Sequence, residues 1–140
     1  MGKSDDSIDT QSIALRLVKS ASITNTSGEV SYPDLLISVL REIPLFNGHP
    51  ELIQEFYIEK DSWGRRIVIA LAPGEGPSCV VLTGHYDVVD TSNYGALESF
   101  AFDPESLTKK MLQSLSSKEK LSPAEALLKK DLEGGSFIPG

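Results

Sequence analysis

The pair of residues in this chain most suited to chemistry is His85 and Asp87, two positions apart behind Gly84. A neutral imidazole binds divalent metals through a free ring nitrogen, and a carboxylate beside it fixes the tautomer and raises its basicity. Just upstream lie Cys79, Val80, Val81 and Leu82. A run apolar on both alternating faces predicts an interior strand over 78–83, covered by helices. The pair then falls at the carboxyl end of that strand, where ligands bind in open α/β sheets. If the chain stays extended, side chains two apart project to the same side, and Gly84 lets backbone approach closely. His-x-Asp triplets are common, however. The spacing alone favours a plainer reading, a surface hydrogen bond at a strand end.

Other candidates carry less. The Gly74-x-Gly76 spacing lacks the Lys-Ser/Thr of a phosphate loop and reads as a turn. His49, between Gly48 and Pro50, reads as a loop residue, and Trp63 as a partly buried anchor in a turn. Ser22 and Ser27 have no base nearby in sequence and support no nucleophile. Asp90 could help shape the site, though nothing requires it. Cys79 is the one cysteine, so an internal disulfide is excluded, and its apolar run predicts a buried, inert thiol.

The elements that must position the pair follow from periodicity. Ile13, Ala14, Leu17, Val18 and Ala21 share a helical face, with Asp5, Asp6 and Asp9 near its start, where carboxylates complement the helix dipole. Residues 25–28 break that pattern. A second helix is expected with Pro33 near its first turn, carrying Leu35, Leu36, Val39, Leu40 and Ile43 and ending at Pro44. Residues 53–58 and 67–71 read as two strands joined by a turn at 61–64, and residues 73–77 as a second turn. In the tail, Asp103 and Pro104 open a helix bearing Leu107, Met111, Leu112 and Leu115. Ser122 and Glu125 form a capping box for another, which Gly134 and Gly135 stop. The expected organisation is 1–100 as helices plus a three-strand core, with 101–140 as a helical insertion. The fold class is α/β, three-layer, with a mixed sheet.

Composition narrows the function classes. A formal charge of −7 argues against a nucleic-acid partner, because the basic pairs are interspersed with acidic or apolar residues. No apolar stretch approaches the ~18 residues of a membrane span. Residues 1–11 are polar and acidic, without the apolar core of a signal peptide. A cytoplasmic protein without a membrane partner is expected.

The run Gly84, His85, Tyr86, Asp87, Val88, Val89 resembles the Gly-His-x-Asp-Val-Val signature of the co-catalytic zinc amidohydrolases, the aminoacylases, desuccinylases, peptidases and glutamate carboxypeptidases. Ser27, Gly28 and Glu29 are similar to that family's Ser-Gly-Glu after its first helix, and the helix and hairpin that follow also match. The long segment after the motif resembles the arginine-utilisation (Roc-type) branch. The resemblance spans nearly the whole chain, but only one motif is specific.

The resemblance implies the N-terminal part of a zinc-exopeptidase-like catalytic domain. His85 would bind one zinc of a pair, and Asp87, the catalytic-site carboxylate, would orient its imidazole. The intact enzyme would hydrolyse an amide bond of a small amino-acid or peptide substrate, in arginine catabolism on the branch reading, and could form a homodimer. The family's bridging aspartate, its Glu-Glu pair, a further acidic ligand and a late histidine have no match here. Residues 136–140 are similar to the approach to the bridging segment, so the sequence reads as a fragment. By itself it is expected neither to hydrolyse amides nor to hold zinc tightly, and to self-associate weakly. The alternative is a non-catalytic binding or regulatory α/β module. A nucleotide-binding protein lacks its glycine fingerprint.

Overall fold

The computed structural model describes residues 9–134. The chain divides into two compact units, Met1–Asp90 and Thr91–Gly140.

In the first unit, Asp9 caps α1 (Thr10–Val18) by accepting a hydrogen bond from the Gln11 amide at 3.1 Å. Asp5 and Asp6 lie outside the described residues. Helix α2 (Ser27–Leu40) begins well ahead of the expected position and so carries Pro33 in its interior. A proline there removes one helical hydrogen bond and crowds the carbonyl four residues back. Pro33 is fully buried, and its packing offsets that cost. Two contacts tie α1 to α2 and the turn after it: a bond from Tyr32 Oη of α2 to the Leu17 carbonyl at 3.2 Å, and a bidentate pair of Arg16 with Glu42, just past the end of α2, at 2.6 and 2.7 Å. Helix α2 ends at Leu40 with Arg41 as its cap, short of the expected stop at Pro44 and without Ile43. Pro44 instead starts a short helix, α3 (Pro44–Gly48), because its fixed φ suits a first helical position. Phe46 of α3, with Tyr32 and Val39 of α2, forms this unit's buried apolar core.

A 3-10 turn (Pro50–Leu52) leads into β1 (Ile53–Tyr57), which pairs antiparallel with β2 (Arg66–Ala70). Ile53 lies opposite Ala70, and Tyr57 opposite Arg66. Lys60 and Gly64 turn the hairpin with left-handed φ values of 62° and 71°. The Asp61 carboxylate fastens the turn by accepting from the Arg65 amide at 2.8 Å and from the Arg65 guanidinium. Arg66 reaches Asp34 of α2 at 2.8 Å, which sets one face of the hairpin toward that helix. Trp63, expected as a partly buried anchor, is 45% exposed.

The expected central strand is not there. Residues 78–83 adopt no strand, and Val80, Val81 and Leu82 are 84%, 81% and 91% exposed. Cys79 is exposed too, not the buried thiol its neighbours suggest. A strand exists only as one side of a hydrogen-bonded ladder, and among the described residues no segment pairs with 78–83. The described sheet therefore has two strands where three were expected. The architecture is mixed α/β, helices with a small antiparallel sheet.

In the second unit a 3-10 stretch (Ser92–Phe100), kinked at Gly95, precedes α4 (Pro104–Ser116) and α5 (Pro123–Glu133). Asp103 caps α4 by accepting from the Ser106 amide, and the Ser122–Glu125 capping box of α5 forms with both reciprocal bonds. Leu107, Leu115 and Leu132 are its buried leucines. Gly135 and residues 136–140 lie outside the described residues. No described helix is long and apolar enough to cross a membrane.

Candidate functional site

The motif is fixed from below, by the loop between α1 and α2, and not by a strand running into it. Ile23 and Val88 form an isolated parallel bridge. Around it the Val88 amide donates to the Ser22 carbonyl at 3.0 Å, and the Thr24 amide to the Val88 carbonyl at 2.9 Å. Ser22, only 2% exposed, donates its hydroxyl to the Tyr86 carbonyl at 2.5 Å. Tyr86 is held separately: its ring stacks on Tyr32 with centroids 5.3 Å apart, and its hydroxyl donates to the Arg66 carbonyl at 2.9 Å. Burial raises the Tyr86 pKa, so the hydroxyl stays a neutral donor.

On this support His85 and Asp87 meet as expected. His85 Nδ1 lies 3.1 Å from Asp87 Oδ1 and 2.8 Å from the Asp87 backbone carbonyl. A carbonyl oxygen can only accept, so Nδ1 carries the proton. In the neutral ring Nε2 then keeps its lone pair, the state a metal ligand needs. The His85 side chain is 83% exposed, so the ring is open to solvent. Both residues line an open cleft of about 470 Å³ with Glu29, Tyr32, Arg65 and Arg66. The pair is therefore brought together, though by a loop and not by the carboxyl end of an interior strand.

Asp87 has a second partner. Its Oδ2 lies 2.9 Å from the Thr24 hydroxyl. That bond is the largest cause of a lowered Asp87 pKa, with the His85 hydrogen bond adding to it against the opposing effect of burial. Asp87 is thus a carboxylate at neutral pH.

The Ser27, Gly28, Glu29 triplet has a physical role here. A Cβ on Gly28 would sit 1.8 Å from the Ala21 carbonyl oxygen, so only glycine allows α2 to start so close to the loop. Glu29, 4% exposed, accepts from the Asn25 amide at 2.6 Å and from Arg65 at 3.5 Å. Asn25 has a left-handed φ of 60°, and the buried carboxylate holds that turn in place.

Sequence reasoning found His85 and Asp87 and missed Ser22, Thr24, Tyr32 and Tyr86 as their supports. Ser22 and Thr24 are separated from the motif by more than sixty residues and match no spacing rule. Their one signal is a cluster of Ser, Thr and Asn in a loop next to the Ser-Gly-Glu triplet. His49 lies at the end of α3 and pairs with Glu51 at 3.1 Å. Among the described residues no three of His, Cys, Asp and Glu come together to hold a metal ion. His85, with Nε2 turned away from its Asp87 contact, fits the role of one ligand of a zinc ion. The described residues do not complete a set.

The comparisons with known proteins give one curated relative and no family. The chain is 31% identical over 125 residues to the uncharacterized protein YqjN of Bacillus subtilis (strain 168). The match covers 89% of this chain but 21% of that protein, so the chain spans about a fifth of the length of the relative it matches. No protein-family model matches the chain, and no solved structure matches it.

Proposed function

We propose that this chain supplies one zinc-ligating histidine, His85, to a metal-dependent hydrolase that cleaves an amide bond of an amino-acid or peptide substrate. The observation that carries the proposal is the His85 Nδ1–H bond to Asp87, which leaves Nε2 as the ligating nitrogen on an exposed ring. It occurs within a run that resembles the Gly-His-x-Asp-Val-Val signature.

The hairpin supports the accompanying fold reading, a three-layer zinc-exopeptidase-like domain. By its register Phe56 and Ile67 pair on the face away from α2 with Ile69, and all three are about half exposed. An apolar face of that kind suits a further layer. Arginine catabolism is the finer version of the proposal, resting on the segment after the motif.

In this reading His85 would hold one of two zinc ions, and Asp87 would orient the imidazole and raise its basicity. Zinc, when bound, polarises the substrate carbonyl and lowers the pKa of a water towards ~7. Asp87 itself moves no proton. Thr24 and His85 keep it a carboxylate, and it keeps the Nδ1 proton in place.

The test is a zinc titration by calorimetry together with an amide-hydrolysis assay, on this chain and on His85→Ala. The expected result is weak binding that depends on His85, without turnover. Binding unchanged by His85→Ala would favour the alternative, a non-catalytic module in which the pair is a structural contact. Submicromolar binding with turnover would show a complete site and overturn the one-ligand account.

A further inference from the structure

The Thr24 hydroxyl has one proton and two acceptors in reach, Asp87 Oδ2 at 2.9 Å and the Val88 carbonyl at 3.0 Å. An ionised carboxylate is the stronger acceptor, so the proton goes to Asp87. With Oδ2 occupied, Asp87 presents Oδ1 to His85 Nδ1 at 3.1 Å. Thr24 is itself fixed at both ends. Its amide is bonded to the Val88 carbonyl, and the next residue, Asn25, is held by the buried Glu29. A rigid hydroxyl therefore meets a carboxylate that would otherwise rotate about a single bond.

We infer that Thr24 is a positioning residue, whose hydroxyl orients Asp87 so that Oδ1 joins the Asp87 backbone carbonyl in holding the proton on Nδ1, which leaves Nε2 as the nitrogen His85 offers to a metal. The inference rests on reading His85 as the metal-facing imidazole. It is separable from that reading, because the tautomer can be measured without metal. Ser22 acts differently: it bonds only backbone and holds the segment without choosing between carboxylate oxygens. The chain of effects runs from the start of α2, through the α1–α2 loop, to an imidazole more than sixty residues away.

The test reads the two ring nitrogens of His85 by 15N NMR in the 140-residue chain, at a pH well above the ordinary imidazole range. The wild type and Thr24→Ser should both show Nδ1 protonated and Nε2 bare. Thr24→Val keeps the shape and removes the hydroxyl, and should shift the tautomer ratio about fivefold toward Nε2–H. Asp87→Ala should produce a similar shift, and adding Thr24→Val to it should change nothing further, because Thr24 acts through Asp87. Wild-type ratios in Thr24→Val would overturn the inference. So would an equal further shift in the Asp87→Ala background, which would make Thr24 a general brace of the loop.

If Thr24→Val opens the loop, seen as loss of protection at the Val88 amide, Asp87→Asn decides. Thr24 should hold the new amide's oxygen and turn its NH2 toward Nδ1, which shifts the tautomer ratio toward Nε2–H against the retained backbone carbonyl. A wild-type tautomer ratio in that variant would overturn the inference.

Discussion

At the scale of single residues the account depends on which polar groups have fixed partners. The His85–Asp87 contact was legible in the sequence because two residues of spacing leave few geometries. The Thr24 contact was not, because a loop threonine has no period and its partner is 63 positions away. Gly28 is the least replaceable residue beneath the site. Gly28→Ala should cost roughly 3 kcal/mol, the upper range for overpacking, since the clash is with backbone. Urea unfolding of the variant checks this, and a loss below about 0.5 kcal/mol would mean the loop has room to move.

Two carboxylates away from the site contribute to the acid sensitivity of the fold. The side-chain bond from Arg65, helped by the Arg65 amide, holds Asp61 at about 2, and Lys118 with the Ser122 amide holds Glu125 at about 2. Both folded values lie below the ordinary 3.8 and 4.5. Their contributions are therefore fully present above the ordinary values and are lost as pH falls through the folded ones. Stability should decline between about pH 4.5 and pH 2, and Asp61→Asn and Glu125→Gln should each flatten part of that slope in an acid titration followed by circular dichroism. An unchanged slope in both would show that these pairs do not couple to folding.

At the scale of elements, signals local to the chain were read correctly, and signals that need a partner were not. The caps of α4 and α5 depend on residues within one turn, and both form as expected. The hairpin strands lie within a residue or so of their expected limits for the same reason. The start of α2 was misplaced because Pro33 resembles a first-turn proline, while the packing that tolerates it further in is tertiary. The run at 79–82 was read as a buried strand from composition, which reports apolarity but not what pairs with it. Substitution separates these cases. Leu82→Ala should change stability by less than about 0.5 kcal/mol, whereas Phe46→Ala, which empties a buried site, should cost about 3 kcal/mol. Comparable losses from the two would place Leu82 in a packed core after all.

For the molecule as a whole, the balance of buried and exposed apolar surface is the distinguishing property. Phe56, Ile67 and Ile69 share an open sheet face, and Val80, Val81 and Leu82 stand in solvent. Exposed apolar surface of this kind drives association, opposed here by a net charge of −7. Weak, reversible self-association is the expected outcome in sedimentation velocity. It should be stronger at high salt, where the charge is screened, and reduced by Ile69→Lys. A strictly monomeric chain at all concentrations and salts would contradict this.

The central claim is that His85 meets metal through Nε2 while Asp87 keeps the proton on Nδ1. It is tested most directly by following both 15N ring resonances of His85 during a zinc titration. The account predicts a shift of Nε2 on binding, with Nδ1 remaining protonated throughout. Zinc that shifts Nδ1 instead, or that leaves both His85 nitrogens unmoved while binding elsewhere on the chain, would contradict it.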